Sequence, residues 1–126
     1  MVASDKVLRG GLTDKRVDVP ELVRLVRFDQ GSPALVPPER AGAITRYRPP
    51  APFEVVSVTP TAEAVRLPLV GAAILVAEGD GQVTLSDGTT ASLARGVSYF
   101  VPATQSEIRL SGPGPFWLAI SRPGTP

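Results

Sequence analysis

From Phe53 onward the chain alternates apolar and polar residues in short runs separated by turn residues, the signature of strands with one buried face. Phe53-Glu54-Val55-Val56-Ser57-Val58 is β-branched and partly alternating. Ala64 to Leu67 reads as a second strand, ended by Pro68. Ala72 to Ala77 is a continuous apolar run, which suits a strand buried on both faces. Glu78-Gly79-Asp80-Gly81 turns the chain. Gln82 to Ser86 then alternates, with Val83 and Leu85 inward. Asp87-Gly88 is the dipeptide of a two-residue primed hairpin, and Thr89 to Leu93 returns. Arg95-Gly96 turns again. Val97 to Val101 is a strand stopped by Pro102, Glu107 to Leu110 alternates, and Phe116 to Ile120 closes the set. Strands of this length and spacing predict a sandwich or a jelly-roll barrel.

Upstream of Phe53 the pattern changes. Residues 2–13 read as a strand ending in Gly10-Gly11. Asp18-Val19-Pro20-Glu21 is a helix start: Asp can cap, Pro is tolerated in the first turn, and Glu three residues after the Asp completes a capping-box-like pair. Leu22, Val23, Leu25 and Val26 supply one apolar face, with Arg24 and Arg27 outside. The helix is two to three turns long and is ended by Gly31 and Pro33. Residues 29–52 contain Pro33, Pro37, Pro38, Pro49, Pro50 and Pro52, which excludes an internal helix or a central strand. They read as an extended connector across the barrel surface, anchored by Leu35, Val36, Ile44 and Tyr47. Ala43 to Tyr47 can pair as an edge strand.

Composition narrows the function classes. With 126 residues, 43% hydrophobic and 20% charged, the chain is one domain with room for a core. A net charge of +1 gives no footprint for nucleic acid or a membrane surface. The charge is uneven: residues 1–48 hold nine Lys/Arg against six Asp/Glu, and residues 49–126 hold four against six. The longest apolar run, Leu67 to Ala77, is too short for a membrane span of roughly 20 residues. No signal peptide is read at the N-terminus, and with no cysteine a cytoplasmic setting is expected. The sequence also contains no histidine. His is the commonest zinc ligand and the usual general base near neutral pH, so no transition metal is expected to bind this chain.

The candidate chemistry lies at the start. Gly10-Gly11 permits close backbone approach or positive φ, and Arg9, Lys15 and Arg16 surround it. Cations placed so can hold an anion, phosphate first among them. By itself a Gly-Gly flanked by Arg is more often a turn with solvated charges. Elsewhere, Glu78 and Asp80 read as hairpin residues rather than an acid pair, and Arg95 and Arg109 as exposed strand charges. Phe116 and Trp117 read as core rather than a sugar platform. Arg46 and Arg48, beside Tyr47, read as surface charges or a small cationic patch.

The stretch Ser4-Asp5-Lys6-Val7-Leu8-Arg9-Gly10-Gly11-Leu12-Thr13-Asp14-Lys15, with Asp18, Val19 and Leu22, resembles the signature of type I mannose-6-phosphate isomerases, S-D-N-V-x-R-x-G-x-T-x-K-x-x-D-V-x-x-L. Lys6 departs from the usual Asn and adds a cation. Asp14 departs from the usual Pro and sets a carboxylate beside Lys15, where it can compete with phosphate. The similarity continues through Tyr47 to Val58 and into the β-rich remainder, and it covers only the C-terminal part of the family. Downstream, Ile74 to Gly81, Asp87-Gly88 and Gly96 to Ala103 resemble a cupin. Metal-binding cupins place histidines just before the Glu and after the Pro; here stand Leu75, Val76 and Ala77, then Thr104 and Gln105.

The resemblance implies a mainly β fold, a metal-free cupin-like jelly-roll barrel preceded by a short strand/helix element. Residues 1–28 would be the signature segment, 29–52 the connector and 53–126 the barrel. The implied activity is isomerisation of mannose 6-phosphate to fructose 6-phosphate. In the family, zinc is held upstream by Gln, His, Glu and His, none with a counterpart here, so zinc belongs to the family and no cofactor to this chain. Arg9 carries over as the catalytic cation that orients substrate or stabilises developing charge. Lys15, with the Thr13 hydroxyl, carries over to hold the phosphate or another substrate oxygen. The implied partners are a sugar phosphate and a zinc-bearing N-terminal isomerase half, without which the chain is expected to be inactive. Two other readings stand beside this one: a stand-alone cupin that binds a sugar phosphate or another protein, and an inactive truncated remnant.

Overall fold

The computed structural model describes residues 17–26 and 31–122. The chain divides into two units, residues 1–34 and 35–126. The strand expected over residues 2–13 lies outside the described residues.

In the first unit, helix α1 spans Val19–Leu25. Asp18 caps it: its Oδ1 accepts from the Glu21 N–H at 3.1 Å, which satisfies one of the donors left open in a first turn. Pro20 sits in that turn, where its missing N–H costs nothing. Glu21 pairs forward with Arg24 instead of closing a capping box, accepting from Nε at 2.7 Å and Nη2 at 2.6 Å. The helix stops at Leu25, short of Gly31, because Val26 is already extended with ψ 128°.

The second unit holds ten strands: β1 Glu39–Ala41, β2 Ile44–Tyr47, β3 Phe53–Val58, β4 Val65–Pro68, β5 Ala73–Ala77, β6 Gly81–Leu85, β7 Thr90–Leu93, β8 Ser98–Val101, β9 Glu107–Ser111 and β10 Phe116–Ser121. They form a six-stranded sheet, β1-β2-β3-β10-β5-β8, and a four-stranded one, β4-β9-β6-β7, with antiparallel pairing throughout. The eight strands from β3 on split evenly between the sheets, and the first of them pairs with the last. That is the double Greek key of a jelly roll, as expected. The inner faces make one core. Val56, Val58, Leu75, Phe116 and Ile120 come from the larger sheet, and Leu67, Ile108 and Leu110 from the smaller, all fully buried. Each such side chain contributes about 1.5–3 kcal/mol by leaving water.

Four departures from the sequence reading concern the strands and their turns. β5 is buried on one face only: Ala73, Leu75 and Ala77 point inward, while Ile74 and Val76 are 53% and 41% exposed. β2 is not an edge strand; it lies between β1 and β3, and the short, charged β1 takes the edge. Pro68 belongs to β4, where it pairs with Glu107 as the last residue of an edge strand, a position that needs no ladder N–H. The β6–β7 hairpin has a three-residue loop, Ser86-Asp87-Gly88. The Gly88 N–H reaches Leu85 O at 3.0 Å, and Leu85 N–H reaches Thr89 O at 2.8 Å. The type I′ turn that an Asp-Gly pair favours needs positive φ at both central residues, and here Gly88 alone has it, at 87°. Asp87 keeps ordinary backbone and accepts from the Thr89 N–H at 2.8 Å, which lowers its carboxyl pKa. Gly88→Ala is therefore expected to cost about 1–2 kcal/mol in denaturant unfolding, because Ala pays for the left-handed conformation that glycine adopts freely.

Candidate functional site

Arg9, Thr13 and Lys15 lie outside the described residues, so the structure neither gathers nor separates them. Among the described residues, an ionic cluster and an aromatic one lie on opposite faces of the six-stranded sheet.

The inner cluster is a four-residue ion network. Alternation along β3 puts Glu54 on the same face as Val56 and Val58, and it is the buried polar residue among the described ones, 6% exposed. Arg46, registered between Glu39 of β1 and Val56 of β3, shares that face. Its Nη1 donates to Glu54 Oε1 at 2.6 Å. Arg48 Nε reaches Glu54 Oε2 at 3.5 Å, and Arg48 Nη1 lies 2.9 Å from Glu39 Oε2. Two guanidinium groups face two carboxylates, and among the described residues no buried side-chain N or O lacks a hydrogen-bond partner. Arg46 is thus not a solvated surface charge, Arg48 stays half-exposed beside Glu39, and the two do not form an open cationic patch. Their charge is consumed in holding β1, β2 and β3 together, which leaves little to grip an anion.

The outer cluster is aromatic. Phe116 and Trp117 are neighbours in β10 and point to opposite faces: Phe116 is fully buried, whereas Trp117 is half-buried on the outside. Trp117 stacks on Tyr47 with ring centroids 6.3 Å apart and 27° between planes. Its indole Nε1–H donates to Glu78 Oε2 at 2.9 Å. Trp117 therefore departs from the core position expected for it. Glu78 and Asp80 behave as turn residues, since Asp80 Oδ1 accepts from the Arg95 N–H at 2.9 Å and ties two turns together. Arg95 and Arg109 are exposed.

The positions at which a metal-binding cupin carries its ligands hold no suitable donors here. Leu75 and Ala77 line the apolar interior. The Glu78 carboxylate is engaged by Trp117, and Gln105 Oε1 accepts from Ser86, including its N–H at 2.9 Å. Among the described residues no three His, Cys, Asp or Glu side chains are grouped to hold an ion. Zinc favours imidazole and thiolate, and the sequence has neither. The described residues do not fit zinc.

No protein-family model matches the chain. Sequence comparison finds mannose-6-phosphate isomerase of Salmonella typhimurium, 35% identical over 120 residues, covering 90% of this chain and 30% of that protein. Mannose-6-phosphate isomerase 1 of Arabidopsis thaliana is 33% identical over 115 residues, covering 87% and 26%. Among solved structures, the apo form of the Salmonella typhimurium enzyme superposes with a TM-score of 0.77 at 31% identity, over 98% of this chain and 32% of that one. A mannose 6-phosphate isomerase bound with zinc and yttrium gives 0.75 at 31% identity, over 94% and 31%. The chain thus spans about a third of the length of the relatives it matches. Sequence and jelly-roll topology agree, and the chain belongs with the mannose-6-phosphate isomerases, as the counterpart of their C-terminal region.

Proposed function

We propose that this chain serves the interconversion of mannose 6-phosphate and fructose 6-phosphate as the C-terminal portion of the isomerase, in the cytoplasm, beside a zinc-bearing portion that it does not itself contain. The observation that carries the proposal is the match at 35% identity over 90% of the chain, joined to the lack, among the described residues, of three His, Cys, Asp or Glu side chains grouped to hold an ion. Residues 1–28 would present the active-site edge, 29–52 would connect, and 53–126 would form the barrel.

The reaction moves a proton between C1 and C2 of the sugar. It needs a base at that proton, an electrophile at the oxygens and cations around the phosphate. In this reading the chain supplies the third requirement and part of the second. The Arg9 guanidinium would stabilise charge developing on the substrate oxygens, and Lys15 with the Thr13 hydroxyl would hold the phosphate.

The test is an isomerase assay on the purified chain, alone and mixed with a zinc-loaded portion corresponding to the rest of the relatives' length. The expected result is no turnover alone and turnover on mixing. Arg9→Ala should then lower kcat by about 10²–10³-fold, the effect of removing one preorganised donor to a developing charge. Lys15→Ala should act mainly on KM. Robust turnover by the isolated chain would refute the proposal, and so would a mixed activity indifferent to Arg9.

A further inference from the structure

The outer face of the smaller sheet is polar, and its charges do not balance. Strands β4, β6, β7 and β9 hold two cations, Arg66 and Arg109, and one acid, Glu107. Arg66 and Arg109 are registered directly opposite each other across β4 and β9, and both are exposed. Like charges so placed repel unless an anion is shared between them. Glu107 does not divide itself in that way. Arg66 Nε donates to Glu107 Oε2, and Arg66 Nη2 lies against the same oxygen. Among the described residues Arg109 makes no ion pair. The larger sheet meets the same problem with a full complement, two carboxylates for Arg46 and Arg48. On its other side Arg109 is registered against Thr84, and Thr84 against Thr90. The two threonine hydroxyls lie 3.2 Å apart, so one hydrogen serves the pair and the other remains to donate.

We infer that Arg66, Arg109 and Thr84 form a binding site for a phosphate group, with Glu107 as its built-in competitor. Charge selects the ligand class. Two cations less one acid leave one positive charge on the cluster, which favours an anion. A phosphate monoester carries about −1.5 to −2 at neutral pH and three acceptor oxygens, so it outmatches a carboxylate for two guanidinium groups. One guanidinium takes two of those oxygens in parallel bonds, and a free hydroxyl hydrogen on the neighbouring strand meets the third. Adjacent strands about 4.8 Å apart keep the three side chains within reach of one such group. Glu107 holds Arg66 out of the site, and an arriving phosphate competes with it for that guanidinium. Exposure of both arginines keeps the affinity low, with Kd about 1–10 mM. The inference is independent of the isomerase reading, which seats its phosphate at Lys15 and Thr13.

The test is a titration of the full chain with inorganic phosphate to about 50 mM, followed by the backbone amide signals in NMR spectra, with sodium chloride lowered in step to hold the ionic strength. The amides of Arg66, Thr84 and Arg109 should shift together and saturate. Those of Arg9, Thr13 and Lys15 give separate signals, so phosphate held there is told apart from phosphate held here. Arg109→Gln should raise Kd at the sheet site at least about tenfold, the loss of charged hydrogen bonds. Glu107→Gln should lower it about threefold or more, because the competing carboxylate is gone and Arg66 is released. That gain separates a phosphate site from a solvated surface pair, which a lost ion pair would only loosen. Mannose 6-phosphate should shift the same amides with a Kd within about twofold of that for inorganic phosphate, since the cluster reads the phosphate group alone. Acetate at the same concentration should not saturate them. Should Arg109→Gln fail to fold, the unaltered chain and Glu107→Gln still decide. Absence of saturation by phosphate in the unaltered chain overturns the inference, as does an affinity left unchanged by Arg109→Gln or not raised by Glu107→Gln.

Discussion

Phe116→Ala is expected to destabilise the barrel by about 3–5 kcal/mol in denaturant unfolding, the range for deleting a fully buried aromatic ring. A domain of this size loses roughly 4–8 °C of Tm per kcal/mol, so the midpoint should fall by more than about 12 °C. The size of the effect follows from position. Phe116 opens β10, which pairs with β3 on one side and β5 on the other, and its ring edge lies where a side chain on Gly81 would go. A Cβ added at Gly81 would meet Phe116 Cζ at 2.5 Å and the Ser111 carbonyl oxygen still closer. Gly81→Ala therefore overpacks the site that Phe116→Ala empties, at about 1–3 kcal/mol. The backbone clash with Ser111 is independent of the ring, so the double variant should recover only part of the Gly81 cost. Full additivity of the two losses would show that the ring and the glycine do not meet.

Glu54→Ala should cost about 2–4 kcal/mol. Breaking a buried ion pair from one side typically costs 3–5 kcal/mol, because the abandoned charge stays out of water. The lower end applies here because the Arg46 side chain is 24% exposed, so solvent can recover some of its lost partner. The mechanism makes a second prediction that sets it apart from simple loss of packing. Glu54→Leu combined with Arg46→Met removes both charges and should restore most of the stability, since replacing both members by apolar side chains is often neutral. If the double variant unfolds as early as the single one, the Glu54 contribution lies in Arg48 and the β1 strand rather than in Arg46. Equilibrium urea unfolding of the three proteins distinguishes these outcomes.

The strands with one polar face were legible in the chain. Val83 and Leu85 alternate with polar residues, as do Ile108 and Leu110, and alternation is a direct image of a sheet with one side in water. Asp18 likewise announces α1, since its side chain does the capping that its position suggests. What failed shares one cause: hydrophobicity specifies that a side chain avoids water without specifying which partner removes it. The unbroken run at β5 read as two buried faces, but half of it lies on an exposed sheet surface. Phe116 and Trp117 are both aromatic, and only the register of β10 decides which one turns inward. The Arg46–Glu54 pair was hidden because it depends on β2 lying against β3, and proline density argued against any inner strand there. The candidate site, Arg9, Thr13 and Lys15, stands on its likeness to the family signature, because alternation and composition say little about a short glycine turn among cations.

The order of strands has a consequence for synthesis. β10, the last of the described strands in chain order, sits between β3 and β5, so a nascent chain that has not yet reached Phe116 has no centre to its larger sheet. Hairpins such as β6–β7 can form on the ribosome, but β3 must wait some sixty residues for its neighbour, and such distant pairing makes β folds slow to form. Until β10 emerges, Val56 and Val58 remain without their final cover. Deleting Phe116–Ser121 would thus remove the middle of the larger sheet rather than trim its edge.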